Sequence, residues 1–451
     1  MISTIRESLL PTAALLAGLV ALSPGNAAAA SDSVRLDVSL GTPLVLSGAT
    51  RTAYLKVGLT GFPLEGPARR TPVNASIVID RSGSMSGQKM RKAREAAHLA
   101  VDRLGDDDIV SVVTYNHGVQ VLVPATKVRN RAAIHRRIER MIADGNTALF
   151  AGVSKGAHEV RKFLAVNRVN RVILVSDGLA NVGPSSPGEL GRLGASLAKE
   201  GVSVSTIGLG RGYNEDLMVA LARSSDGNHA FAENGVDLVR IFDYEFGDML
   251  SVVAREVEVT IRCSPGVEPV RVLGRPAQIA GDTIFARLNQ ITSEQEKFLL
   301  VELRIPASAE DASREVASVD VRYANSISRT TDVLGGSAVV GYSDSPDEVR
   351  DHRNEDVLAA SVELIANETN KYAVELRDQG RIAEARGALE QNARFLERNA
   401  RGYESKKAKK KLEKRAKSNR NDMKNMDQGR WKRQRKVMRD SQFELDMQQA
   451  Y

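Results

Sequence analysis

Cysteine is almost absent from this sequence, aromatic residues are scarce, and no apolar run is long enough to cross a bilayer comfortably. Cys263 is the only cysteine in 451 residues, so no intramolecular disulfide can form and stability must come from packing. Such a lone cysteine reads as a small buried apolar side chain and not as a reactive thiol. Phe, Trp and Tyr supply only 4% of the chain, which leaves Val, Ile, Leu and Ala to build the cores. Six histidines are scattered, with no His-Glu-x-x-His pair and no candidate triad, so zinc-protease and triad-hydrolase chemistry lack their groups.

What is present is ordinary globular composition, 42% hydrophobic and 26% charged, in a length that allows two or three domains. The charge is unevenly spread. Residues 401–451 hold 17 Lys/Arg against 7 Asp/Glu, a balance of +10, so the first 400 residues carry −3 of the total +7. At the other end, Arg6 precedes an apolar run from Leu9 to Leu22, followed by Ser23-Pro24-Gly25-Asn26 and Ala27 to Ala30. A membrane span needs about 20 apolar residues. Residues 1–30 are therefore expected to be an export signal cleaved near Ala28–Ala30, giving a periplasmic or envelope-associated protein; an uncleaved N-terminal anchor is the alternative.

Periodicity divides the rest. Residues 31–71 alternate in strand fashion (Val34, Leu36, Val38, Leu40, then Tyr54, Leu55, Val57, Leu59), and short strands recur over 251–345. Neither piece makes a domain alone, so the economical reading is one β-sandwich assembled from both. Residues 72–250, inserted between them, alternate strand and helix. Asn74–Asp80 and Arg171–Asp177 are near-continuous apolar strands, as expected where both faces of a sheet are covered. Ile109–Tyr115 and Val119–Val123 read as a hairpin across Asn116-His117-Gly118. The fold class is thus α/β, a doubly wound, mostly parallel six-stranded sheet. Residues 346–400 read as a helical hairpin turning at Asp378-Gln379-Gly380, and 401–451 as a basic tail, helical or disordered.

Ligands of an open α/β sheet bind beyond the carboxyl ends of the strands, where strand order reverses. In the order 3-2-1-4-5-6, with the hairpin strand as third, that point lies between the strand ending at Asp80 and the one ending at Asp177. Ser82 and Ser84 follow the first, and the loop before the third main helix supplies Thr147. Two carboxylates and three hydroxyls are hard oxygen ligands, suited to Mg²⁺, Mn²⁺ or Ca²⁺ and poor for zinc. Gly83 lets one tight loop aim Asp80, Ser82 and Ser84 at one point. Neutral hydroxyls leave the cation electron-poor, with a position open to a partner's Asp or Glu carboxylate.

Val78-Ile79-Asp80-Arg81-Ser82-Gly83-Ser84-Met85, Gly145-Asn146-Thr147 and Val175-Ser176-Asp177-Gly178 resemble the three loops of the metal-ion-dependent adhesion site of von Willebrand factor type A domains. The resemblance covers about 72–250, and its flanks look like bacterial exported members of that family. It implies one divalent cation, Mg²⁺ first. Ser82 and Ser84 would bind it directly, Thr147 directly or through water, and Asp80 and Asp177 largely through water. It also implies adhesion to a protein partner, with no catalysis. Asn146 stands where the family commonly has glycine.

Rival readings are weaker. A phosphatase of the haloacid dehalogenase type needs a second carboxylate two residues after the first, where this chain has Ser82. Gly208-Leu209-Gly210-Arg211-Gly212-Tyr213 lacks the third glycine of a dinucleotide loop. Asp106-Asp107-Asp108 reads as a solvated turn. A structural envelope protein whose metal only stabilises it is the alternative of a different class, with a metal-dependent hydrolase behind it. For the tail, a solvated helix competes with binding to an anionic membrane surface or an acidic protein, nucleic acid being least compatible with export. Trp431 within that tail is a candidate anchor at a membrane interface.

Overall fold

The computed structural model describes residues 27–30, 33–64, 70–165 and 167–449, and the apolar segments expected to be strands, Asn74–Asp80, Ile109–Tyr115 and Arg171–Asp177, fall on strands there. In chain order β1 (Ala27–Ala30), β2 (Val34–Leu40), β3 (Leu44–Leu46) and β4 (Arg51–Gly61) come first. The middle of the chain is β5 (Val73–Asp80), α1 (Gln88–Arg103), β6 (Ile109–Tyr115), β7 (Val119–Lys127), α2 (Arg131–Ile138), α3 (Leu149–Arg161), β8 (Val169–Ser176), α4 (Pro187–Lys199), β9 (Val202–Leu209), α5 (Glu215–Ser224), β10 (His229–Ala232) and α6 (Gly235–Leu250). Then follow β11 (Val252–Cys263), β12 (Glu268–Leu273), β13 (Gln278–Ala280), β14 (Thr283–Thr292), β15 (Glu296–Ile305), β16 (Ser313–Asn325) and β17 (Thr331–Ser343). Five helices close the chain: α7 (Pro346–Asp351), α8 (Glu355–Asp378), α9 (Ile382–Arg401), α10 (Lys406–Lys424) and α11 (Gln428–Met447).

The middle section is a six-stranded sheet of order β10-β9-β8-β5-β6-β7, parallel except for the β6–β7 hairpin. That is the expected doubly wound order. Every residue of β5, β6, β8 and β9 is buried, because helices cover both faces. Side chains of α1, α2 and α6 pack with Ala75, Ile77 and Ile79 on one face; α3, α4 and α5 pack with Val78, Val172 and Leu174 on the other. Local chemistry starts the helices: Ser186 and Glu189 form a capping box at α4, and Asn234 and Asp237 another at α6.

Strands from both flanks interleave around this unit. β4 pairs antiparallel with β15 from Thr60↔Glu296 to Arg51↔Ile305, within a sheet of order β1-β2-β4-β15-β12. A second sheet, β13-β14-β11-β16-β17-β3, faces it across a shared apolar core that includes Leu36, Leu55, Ile261, Leu303 and Val319. The chain leaves this sandwich after Gly61 and re-enters it at Val252. Cys263 is buried in that core, which pushes its thiol up to about 11. Most of the expected export signal lies outside the described residues. Ala27–Ala30, where its cleavage was expected, pair with Arg35–Val38 as an edge strand.

Two expectations, for Asp108 and Trp431, need correction. Asp108 is not a solvated turn residue. It is buried at 1% exposure, accepts hydrogen bonds from the Val73 and Gly105 N–H groups at 2.8 and 2.7 Å, and takes both arms of the Arg70 guanidinium. Asp106 and Asp107 alone stay exposed, pairing with Arg131 and Lys127. The basic tail takes the helical one of its two expected forms, and α10 and α11 fold back against α8 and α9, with α11 docked on α5 and β10 through Phe443 and Met447. Trp431 is no free anchor: its indole N–H donates to Asp378 Oδ1 at 3.1 Å and its ring stacks under Arg377.

Replacing Asp108 with Ala removes the acceptor for two backbone donors and strips Arg70 of its partner. Stability is expected to fall by about 2–4 kcal/mol, read as a shift in the urea midpoint at unchanged slope.

Candidate functional site

The strand ends bring the five candidate residues together. Asp80 closes β5, Asp177 follows β8, and the turn after β5 carries Ser82 and Ser84. Thr147 precedes α3. The Asp80 carboxylate accepts the Ser82 backbone N–H at 2.8 Å, and the Ser82 and Ser84 hydroxyl oxygens lie 3.1 Å apart. The Ser84 hydroxyl donates to Asp177 Oδ1 at 2.7 Å. Gly178 marks the meeting point: a Cβ placed on it would sit 3.2 Å from Thr147 Oγ1, 3.7 Å from Ser84 Oγ and 3.8 Å from Asp80 Oδ2. A Cβ there would press on Thr147 Oγ1 and stand in ordinary contact with the other two oxygens.

Loop-to-loop backbone bonds hold this geometry. Gly83 N–H donates to the Gly145 carbonyl at 3.0 Å, and Asp144 N–H to the Arg81 carbonyl at 2.6 Å. Gly145 needs its glycine, because its φ is +80° and a side chain would strike His117 and Asn116. Thr147 is fixed by its N–H to Asn181 Oδ1 at 3.0 Å. Asp80, Asp177, Ser82 and Thr147 are all buried, whereas Ser84 is exposed, so the cluster opens to solvent on the Ser84 side.

Burial dominates the electrostatics. It pushes the Asp80 carboxyl up to about 6, with the neighbouring Asp177 adding to the rise; the Ser82 and Ser176 hydrogen bonds oppose it. Asp177 is compensated from within the chain, since the Lys89 ammonium of α1 pairs with its Oδ2. Among the described residues no group of three or more His, Cys, Asp or Glu side chains is placed to hold a metal. The oxygen cluster therefore depends on its hydroxyls, a donor set that fits a hard divalent cation.

Four supporting residues escaped the sequence reading. Ser176 donates to Asp80 Oδ2 at 2.8 Å, and Asn181 anchors Thr147. Asn116 donates from Nδ2 to the Asp144 carbonyl, and its own carbonyl accepts the Ala148 N–H at 2.7 Å. Lys89 is the fourth. Ser176 alone left a signal, a hydroxyl ending an otherwise apolar strand. In cation-free protein, Ser176→Ala is expected to move the Asp80 titration above 6 in a carboxyl-resolved NMR experiment; an unmoved titration would remove Ser176 from this role.

The von Willebrand factor type A domain family model matches residues 76–242. A protein of Synechocystis sp. described as uncharacterized is 29% identical over 277 residues, 59% of this chain and 65% of its own length. The chain thus spans just under two thirds of that relative. Two solved structures share the fold. The von Willebrand factor type A protein of Catenulispora acidiphila aligns with a TM-score of 0.68 at 15% identity, over 88% of this chain and 91% of that one. The ArnB paralog VWA2 of Sulfolobus acidocaldarius aligns with 0.59 at 18% identity, over 92% and 98%. The unit that carries Asp80, Ser82, Ser84, Thr147 and Asp177 has the von Willebrand factor type A fold.

Proposed function

We propose that these five residues hold one divalent cation, Mg²⁺ before Mn²⁺ or Ca²⁺, and that the cation accepts an Asp or Glu carboxylate from a protein partner. The chain is then a cation-dependent protein-binding module of the cell envelope, not an enzyme. The observation that carries this reading is the convergence of Thr147 Oγ1, Ser84 Oγ and Asp80 Oδ2 around Gly178, beside Asp177 and open to solvent at Ser84. Ser82 and Ser84 would bind the ion directly, Thr147 directly or through water, and the two Asp largely through water. The envelope setting rests on the N-terminal apolar run and its small-residue end.

A second reading, an envelope protein whose cation only stabilises it, draws support from the buried and only partly compensated Asp80. Ser82→Ala separates the two. If the cation mediates binding, the variant stays folded with little change in melting temperature, cation affinity falls on the order of a hundredfold, and partner capture from envelope extract in Mg²⁺ is lost. If it only stabilises, the loss of melting temperature comes first and capture survives. Calorimetry showing no uptake of Mg²⁺, Mn²⁺ or Ca²⁺ by the wild type would end both readings.

Proton competition gives an independent check. Asp80 titrates near 6 in the cation-free fold, above its usual value of 3.8. Cation affinity is therefore expected to fall about tenfold per pH unit below 6 and to level off above 7. In chelator the same shift acts on stability. A raised carboxyl favours the fold fully below pH 3.8, and that contribution disappears as pH rises through 6. The wild-type protein should lose stability across this window relative to Asp80→Asn, whose neutral amide cannot ionise, in parallel urea titrations.

A further inference from the structure

The surplus positive charge of the C-terminal region is sorted by residue type and by direction. Its arginines mostly point inward to carboxylates. Arg420 pairs with Glu397, Arg433 with Glu233 at 2.6 Å, and Arg435 with Asp216 at 2.6 Å and Asp378 at 2.8 Å. Arg415 donates to Ser441 Oγ at 2.9 Å and lies 3.5 Å from Glu363. The outer face of α10 is different. Lys406, Lys410, Lys414, Lys417 and Lys424 are all exposed, and none makes an ion pair or hydrogen bond with a described side chain, although Lys414 is near enough to Glu444 of α11 to oppose the rise of its carboxyl.

Helical geometry places these five within an arc of about 80°, along about 27 Å of axis. The opposite side carries Ala408, Leu412, Ala416 and Asn419, which are buried against the bundle. The lysine row is thus held rigidly outward by a packed inner face and is not a flexible run. Like charges at i,i+4 disfavour an isolated helix, so a surface of this kind is maintained by tertiary packing against that repulsion.

We infer that this face of α10 docks on an anionic lipid surface. Lysine ammoniums are compact point charges without the fork that reads one phosphate or carboxylate bidentately. A straight, convex row of them complements a plane of lipid phosphates better than a discrete acidic peptide. No aromatic residue occurs between Glu404 and Arg430, so the stacking platform of a single-strand nucleic-acid surface is lacking. Attraction to an anionic membrane grows with each basic residue near it and fades within a Debye length.

The test uses the full chain in EDTA, so that the cation site plays no part and its failure would leave this inference untouched. Co-sedimentation is measured with phosphatidylcholine vesicles with and without phosphatidylglycerol. Binding is expected only to the anionic vesicles and should vanish at high salt. The variant Lys406→Gln/Lys410→Gln/Lys414→Gln/Lys417→Gln alters exposed side chains alone and, with their mutual repulsion removed, should melt at or slightly above the wild-type temperature. It is expected to partition several-hundredfold more weakly, about fivefold per lysine. Absence of vesicle binding, equal binding to neutral vesicles, unchanged binding of a folded variant, or preference for RNA or an acidic protein over anionic vesicles would each overturn the inference.

Discussion

Two carboxylates buried at one end of a sheet, with a single ammonium to balance them, form the constraint around which this molecule is arranged. Burying an unpaired charge is expensive unless hydrogen bonds and counter-ions replace water. Asp177 has Lys89, while Asp80 has hydrogen bonds from Ser82 and from the Ser176 hydroxyl and, among the described residues, no cationic side chain paired with it. The doubly wound order makes such a site available. β5 and β8 are neighbours, yet their connections run to opposite faces of the sheet, so a crevice is left at their carboxyl ends. Three loops can fill it, and their backbones are bonded to each other before any ligand is considered.

The rear of the site is as closely fitted as its front. The Asp177 carbonyl is so near Gly212 that a Cβ there would approach it to 2.5 Å. The next residue, Tyr213, is buried with its carbonyl accepting from Lys436 Nζ at 2.8 Å, and the same ammonium lies 4.3 Å from the centre of its ring. Lys436 and Arg435 of α11 also pair with Glu215 at the start of α5. The last helix of the chain thus braces the loop that backs Asp177. Three of the tail's basic residues do this work: Arg435, Lys436 and Arg439 fasten α11 to Glu215 and Asp216 at the start of α5.

Legibility in the sequence followed the range of the interactions. The convergence of Asp80, Ser82, Ser84, Thr147 and Asp177 was legible because they lie on three short loops at one end of the sheet, although their supports Ser176, Asn181 and Lys89 are 34–96 residues away. The order of strands was readable because an apolar run with no alternation implies two covered faces, as in β5, β8 and β9. Asp108 was misjudged because nothing nearby in sequence reveals that Arg70 and the start of β5 converge on it, 35–38 residues away. Lys89 and Asp177 are likewise 88 residues apart. Trp431 was misread for the same reason, and in the basic runs composition counts charges without telling paired ones from free ones.

Charge balance also bears on what the proposed cation site would attract. A divalent ion contributes +2 and Lys89 +1, while ionised Asp80 and Asp177 contribute −2, leaving a net +1 among groups that are mostly buried. The serine and threonine ligands add nothing to that sum. One carboxylate from outside brings it to zero, whereas a phosphate carrying two charges would overshoot and a neutral ligand would leave it uncompensated. In a partly desolvated site such differences weigh more than they do in water. If the proposed cation is bound, Lys89 would favour a singly charged acid group: without it the loaded site would already be neutral, and any attraction for a partner's Asp or Glu would rest on coordination alone.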